Sequence, residues 1–430
     1  MFLEKIKNDK IFRNLLIIAL FYAALLFLFI SKYDFNISST VQLSANHLHN
    51  YKGTIPDSIV RFDHDGFDGQ YNLMMALNPS LEKIHIGLNF YQRIVYPVIV
   101  NIFSLGIPEV MPYMMVFINF AAVILSSYLI MFLLRRHKAN INLVFLWAFC
   151  VSPLICFTKD LSELLMVLFI LLTICLFEKN KHILASICLA LAILTREIAL
   201  PIYAAILLYF LIKCDWKKLF IYTLAVIPFG IWDIILFYKL GTLPIIASYW
   251  AISEPITSLL NYFKDKPREI ELTLNTIKDH IPTLINNPSS INTNMNAIST
   301  STMTVINTTT NTLPRTNILY ILRDINLKYS SIPILFFSFF QLILIIWNYI
   351  KDKKITVYSL ILLSQIALIF SLSKGIFSNG GIDALGRYAI CLFLFSILYT
   401  TERQQKYSKI LAIISTLISA VYFMIIIFIK

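Results

Sequence analysis

Between residues 61 and 71 the chain reads Arg-Phe-Asp-His-Asp-Gly-Phe-Asp-Gly-Gln-Tyr, so Asp63, Asp65 and Asp68 fall close together beside His64, Gln70 and Tyr71. Carboxylates at this density suit two kinds of chemistry: one ionised member can accept a proton from a hydroxyl, or several can hold a hard cation such as Mg²⁺ or Mn²⁺ through oxygen. Gly66 and Gly69 let the backbone turn sharply and approach a ligand closely. The competing reading is a hydrated turn held by Asx-type hydrogen bonds, in which aspartate and glycine are ordinary. Downstream, Asn89-Phe90-Tyr91-Gln92-Arg93 and Val95-Tyr96-Pro97 bring an arginine and two tyrosines to the edge of an apolar stretch. Arg93 either grips a phosphate with its planar fork of donors or extends its charge to the membrane surface.

Three further groups of charge interrupt apolar sequence. Lys159, Asp160 and Glu163 form the first, with Asp160 and Glu163 on one face if a helix has begun. Either acid could anchor substrate or a divalent cation, which makes Asp63, Asp65, Asp160 and Glu163 the candidate metal ligands; Asp160 could equally cap the helix. Thr195-Arg196-Glu197 is the second, where Arg196 binds an anion or pairs with a carboxylate that holds helices together. Arg387 is the third, following the stretch Lys374 to Gly386 (KGIFSNGGIDALG), whose Gly380-Gly381 reads as a flexible turn. His47, His49 and His85 lack ligand spacing. The six cysteines all lie in or at the end of hydrophobic segments, as inert buried thiols do.

The elements that position these groups are membrane helices. Apolar residues make up 58% of the 430 positions and mean hydropathy is +0.74, which excludes an ordinary soluble domain. Asn14 to Ile30, Val110 to Leu134, Ile332 to Ile350 and Leu411 to Ile429 approach or exceed the roughly 20 residues that span a bilayer core. The first of these follows a basic start but lacks a small-x-small cleavage site, so a retained helix is expected. The net charge of +12 does not point to nucleic acid, because half of the 36 Lys and Arg residues sit in six short clusters at helix ends. Those clusters are Lys5/Lys7/Lys10/Arg13, Arg135/Arg136/Lys138, Lys179/Lys181, Lys213/Lys217/Lys218, Lys351/Lys353/Lys354 and Arg403/Lys406/Lys409.

Positive-inside topology puts all six clusters in the cytoplasm, with the amino terminus. The fold expected is therefore all-α and membrane-embedded, with about eleven crossings (ten to twelve) and the carboxyl terminus outside. Residues 31–92 become a first outer loop, in which Tyr71 to Leu77 is expected as a short helix lying in the interface. Ala139 to Phe177 becomes a hairpin with its outer tip at Ser152-Pro153 through Lys159-Asp160, and 241–331 a second outer loop. The tract Asn286 to Asn317, rich in Asn, Thr and Ser, is too polar to pack a core. Arg93 to Gly106 is too short to span and is expected to be embedded without crossing. The arms around Thr195-Arg196-Glu197 are also short, about 20 Å each, so Arg196 and Glu197 lie below the outer surface. Exposing them to lipid would cost ~2.5–3.5 kcal/mol or more, so they must face protein.

The order of these motifs carries a resemblance. Asp-Gly-Gln-Tyr after the first helix, then Tyr-x-Arg-x-x-Tyr-Pro, then Ser162-Glu163 opening a later helix, then Leu191 to Glu197 as Leu-x-x-Leu-Thr-Arg-Glu, resembles the GT-C superfamily of polytopic glycosyltransferases, especially PIG-V-like mannosyltransferases and related bacterial proteins. The resemblance covers roughly residues 10 to 240. It implies a transmembrane catalytic module over 1–240, an extracytoplasmic loop over 241–331 and carboxyl-terminal transmembrane helices over 332–430. It also implies a polyprenyl-phosphate sugar donor, inverting transfer to an acceptor hydroxyl, and a bacterial inner-membrane setting. The essential carboxylate carries over to Asp68 or, since Gly66-Phe67-Asp68 replaces the Arg-Trp-Asp form of the PIG-V relatives, to Asp65. Asp63, His64, Gln70, Tyr71, Arg93, Arg196, Glu197 and Arg387 are then the substrate-binding candidates. A transporter or flippase is the main alternative, since many crossings with a few embedded charges also describe carriers. A polysaccharide polymerase or ligase is another, although the leading loop is acidic where arginine-rich loops are typical of those enzymes.

Overall fold

The computed structural model describes residues 9–82, 84–242, 244, 331–371 and 387–402. Lys5/Lys7, most of 241–331 including Asn286 to Asn317, the Lys374 to Gly386 loop, Arg403/Lys406/Lys409 and Leu411 to Ile429 lie outside them. The described chain is predominantly helical. It opens with α1 (Lys10–Ile30), α2 (Asp68–Leu77), α3 (Val95–Phe103), α4 (Met111–Arg136), α5 (Val144–Ala148) and α6 (Val151–Thr158). Then come α7 (Glu163–Glu178), α8 (His182–Thr195), α9 (Leu200–Ile212), α10 (Trp216–Thr223) and α11 (Ile227–Leu240). Beyond 330 are α12 (Ser331–Asp352), α13 (Val357–Ser371) and α14 (Ile390–Glu402).

Among the described residues, three helical stretches are long and apolar enough to cross a membrane: Lys10–Tyr33, Pro108–Arg136 and Trp216–Leu240. The pair α5 and α6, bent by 55°, makes a fourth if taken as one span. His182–Thr195, Glu197–Ile212, Val357–Phe370 and Ile390–Glu402 are shorter apolar helices. Together they mark a membrane protein. Local chemistry sets several boundaries: the Asp9 carboxylate accepts from the amides of Ile11 and Phe12 to start α1, and Gly241, at φ +74°, ends α11. Helix α3 has nine residues and reaches about 14 Å, too short to cross alone.

Two details of the 31–92 connection differ from expectation. Leu43–Ser44 (β1) pairs in parallel with Arg61–Phe62 (β2), a small ribbon in a chain read as all-α. Helix α2 does not lie on a lipid surface: Asn72 through Ala76 are buried without interruption, because α2 packs against α3, α4 and the 37–41 turn. With Leu73, Met74, Met75 and Ala76 apolar on consecutive faces, burial on all sides outweighs an interfacial position.

The bundle has two chemically distinct ends. At one, Glu178 closing α7 accepts from Tyr358 of α13 and forms an ion pair with Arg136, whose Nε is 2.8 Å away, with His137 Nε2 at 3.1 Å. Thr356 donates to Glu402 of α14 at 2.8 Å. Four helix ends are thereby tied together beside clusters of Lys and Arg. His137 lies just past α4, and its hydrogen bond to Glu178 raises its pKa against the opposing effect of burial. A raised histidine pKa gives stability that is complete below about 6.5 and is lost as pH rises through the folded-state value. Wild-type protein is therefore expected to lose thermal stability as pH rises above about 6.5, relative to His137→Gln, which lacks this slope; parallel melts of the two proteins over a rising pH series are the check.

Candidate active site

At the other end of the bundle, three carboxylates each open a helix. Asp68 is the first residue of α2, Glu163 the first of α7, and Glu197 the first of the 3₁₀ turn Glu197–Ala199 that leads into α9. Helix amino termini favour negative charge, which suits an acid at the start of α2 and of α7. Three arginines come from the breaks between helices. Arg93 precedes α3, Arg196 is the extended residue at φ −160° between α8 and α9, and Arg387 precedes α14. Pro201 in the first turn of α9 helps fix where the second helix resumes.

These six side chains meet. Asp68 Oδ2 lies 2.9 Å from Arg93 Nη1, 2.9 Å from Arg387 Nη1 and 3.4 Å from Arg196 Nη1 and Nη2. Arg93 holds Glu197 with both arms of its fork, Nε to Oε2 at 3.0 Å and Nη2 to Oε1 at 2.7 Å. Arg196 Nη2 is 3.2 Å from Glu163 Oε1. Arg196 and Glu163 are fully buried, while Asp68 and Glu197 keep 16% and 18% of their side-chain surface. Burial alone would raise the Asp68 pKa, but the charges of Arg387, Arg93 and Arg196 outweigh it and hold this carboxyl well below the usual range. The three positive and three negative charges cancel.

Glycine at two positions makes this arrangement possible. Gly66, at φ +70°, lies where an added Cβ would stand 2.4 Å from the Gln42 carbonyl oxygen. A Cβ on Gly69 would be 2.5 Å from the Lys159 carbonyl oxygen and 2.8 Å from that of Val41, so backbone presses on α2 from both sides. Gly69→Ala is expected to cost about 1–3 kcal/mol, read as a lowered melting temperature. Gln70 closes the acidic turn, accepting from Ser44 N at 3.1 Å and donating to Asp65 O at 2.9 Å.

Of the sequence candidates, the structure joins Asp68, Arg93, Glu163, Arg196, Glu197 and Arg387. Asp63, His64 and Asp65 remain at the surface, outside the charged centre. The Asp65 side chain is 92% exposed, with His47 Nε2 at 4.0 Å, and His64 Nδ1 accepts from Gly66 N at 3.0 Å. Between Asp65 and Asp68, Asp68 is thus the one in the centre. Tyr71 is half-buried with its ring 4.2 Å from that of Phe90, over which Arg93 lies at 4.8 Å.

Asp160 does not cap α7. Its carboxylate accepts from Thr40 Oγ1 at 2.5 Å and from Asn119 Nδ2 at 3.4 Å, and Asn72 donates to its backbone oxygen at 3.2 Å. It is drawn under the 37–41 turn, where burial pushes its pKa up to about 7 against those hydrogen bonds. The four candidate metal ligands are consequently not brought together: Asp63 and Asp65 face outward, Asp160 is held by Thr40, and Glu163 faces Arg196. Among the described residues no group of three or more His, Cys, Asp or Glu side chains fits a metal ion.

Sequence reasoning missed the support behind Arg93. Trp232 Nε1 donates to Tyr91 O at 2.9 Å, and Gln92 Nε2 donates to both oxygens of Asp233 at 3.0 and 3.1 Å, so consecutive residues of α11 grip the two residues before Arg93. A lone acid inside apolar α11 was the available signal. Tyr91 also lines a hollow of about 590 Å³, together with residues that include Glu82, His85 and Lys239 and with none of the six charged groups.

Fold and site together define a class, a helical membrane protein with a buried arginine–carboxylate centre at one end of its bundle. Comparison with models of protein families, with curated proteins and with solved structures finds no match.

Proposed function

We propose that this chain is a membrane glycosyltransferase of the GT-C type, transferring a sugar from a polyprenyl-phosphate donor to an acceptor hydroxyl on the extracytoplasmic side. The observation that carries the reading is the convergence of Arg93, Arg196 and Arg387 on one ionised aspartate, Asp68, at the end of the bundle remote from the basic clusters. Guanidinium groups meet phosphate well because their planar donors match its oxygens. With about eleven crossings and a cytoplasmic amino terminus, this end faces outward, where the headgroup of a lipid-linked sugar in the outer leaflet of a bacterial inner membrane is accessible.

In the proposed step the acceptor oxygen attacks the anomeric carbon from the face opposite the phosphate. The new carbon–oxygen bond forms as the anomeric carbon–phosphate oxygen bond breaks, and the bonding pair leaves on polyprenyl phosphate. Asp68 takes the acceptor's hydroxyl proton, and the sugar is inverted. Negative charge grows on the departing oxygen, so arginines beside it stabilise the transition state more than the ground state. Whether Mg²⁺ or Mn²⁺ takes part is read from activity in excess chelator.

The test is to supply labelled polyprenyl-phosphate sugars to the purified protein with a panel of acceptors and follow release of free polyprenyl phosphate. Release dependent on acceptor supports the reading. Full recovery of intact donor across the panel rejects it.

A further inference from the structure

We infer that the Asp68 carboxylate occupies the seat of a phosphate, and that a phosphate group binds this protein by displacing Asp68 from Arg196 and Arg387. The inference rests on the glycosyltransferase reading for its biological ligand, but its geometry stands apart from any reaction.

The six charges of the centre already cancel, so a further anion cannot simply be added to them. It must take arginines from a carboxylate, and the three carboxylates are not equally placed to yield. Glu197 is held in register by both arms of the Arg93 fork. Glu163 is fully buried and can retreat nowhere. Asp68 meets all three arginines through a single oxygen, Oδ2, at 2.9 to 3.4 Å. It also retains surface exposure and stands at the first turn of a short helix.

One carboxylate oxygen is a poor match for three guanidinium groups. A phosphate has more than one terminal oxygen: the donor's diester offers two, one each for Arg196 and Arg387, and a monoester such as the released polyprenyl phosphate offers three. Donors are ready for it: Arg196 Nε and Arg387 Nε are buried and donate no hydrogen bond to the described residues. Arg93, committed to Glu197, is the one arginine that can stay with Asp68 after displacement. Asp68 would then face one guanidinium instead of three and would accept a proton more readily. Binding of the donor's phosphate thereby turns a quiescent carboxylate into a base, and the base is silent while the seat lacks a phosphate.

The experiment measures dissociation constants of inorganic phosphate and of dodecyl phosphate for protein in nanodiscs. Asp68→Asn is expected to bind both at least about tenfold tighter than wild type, a shift of the size a lost ionic competitor produces. Glu197→Gln removes the same charge without vacating the seat, so it is expected to tighten binding clearly less. Arg387→Gln is expected to weaken it about tenfold. Equal or weaker binding by Asp68→Asn, or an equal gain from Glu197→Gln, overturns the inference. A preference for dodecyl phosphate identifies a lipid phosphate as the occupant, and equal affinity identifies free phosphate; each retains the seat.

Should Asp68→Asn not fold, Asp68→Ser replaces it in the same comparison, with the same outcomes for and against. Tighter phosphate binding with no turnover of any lipid-linked sugar rejects the glycosyltransferase reading and leaves the displacement standing.

Discussion

Asp68→Asn is expected to lower glycosyl transfer by a factor on the order of 10² to 10⁴, the range that positioned proton transfer contributes. Asparagine keeps the shape of aspartate and can still meet a guanidinium through its carbonyl, but it cannot accept the acceptor's proton. Asp65→Asn and Asp63→Asn are expected to stay within a few-fold of wild type, because both side chains face outward from the centre. The three variants change one acidic turn by the same chemistry, which makes their contrast informative. Transfer is measured as labelled product per mole of folded protein. Activity surviving in Asp68→Asn would remove the proposed base.

Arg196→Met is expected to destabilise the protein by about 3–5 kcal/mol, the cost of leaving a buried charge without its partner. Arg196 is fully buried and its Nη2 is the cation 3.2 Å from Glu163, neither of whose carboxylate oxygens has a hydrogen-bond partner among the described residues. Adding Glu163→Leu removes the stranded charge, and replacement of both members of a buried pair by apolar groups is commonly close to neutral. The double variant is therefore expected to recover most of the stability, with transfer still absent. Thermal melts in detergent give the first quantity and the labelled-donor assay the second. Recovery of transfer along with stability would reduce Arg196 to a helix fastener.

The charged centre was partly legible because charge is conspicuous in an apolar chain. Arg196 and Glu197, between two apolar arms too short to reach water, had to face protein, and they do. Which acid meets which base was not legible. Asp68 and Arg387 are 2.9 Å apart across most of the chain, and nothing in spacing encodes that. The difference between Asp65 and Asp68 was hidden as well, since both belong to one motif; it arises because α2 begins at Asp68, turning its carboxylate inward while Asp65 remains on the exposed turn.

Helix positions followed hydropathy closely where runs were long, as at Lys10–Tyr33 and Pro108–Arg136. The environment of α2 did not, because an apolar decapeptide reads the same whether lipid or protein surrounds it. The two-residue strands β1 and β2 have no periodicity to detect. Asp160 looked like a helix cap from its position and is instead claimed by Thr40, which lies 120 residues earlier.

Arg387 reaches the centre from beyond residue 330, whereas Asp68, Arg93 and Arg196 leave the ribosome much sooner. The nascent chain must therefore integrate most of its helices with a constellation that lacks one guanidinium, and only the late arrival of the segment before α14 completes it. Two separately translated fragments, divided within 245–330, would each carry part of the centre and could rebuild it only by docking in the bilayer.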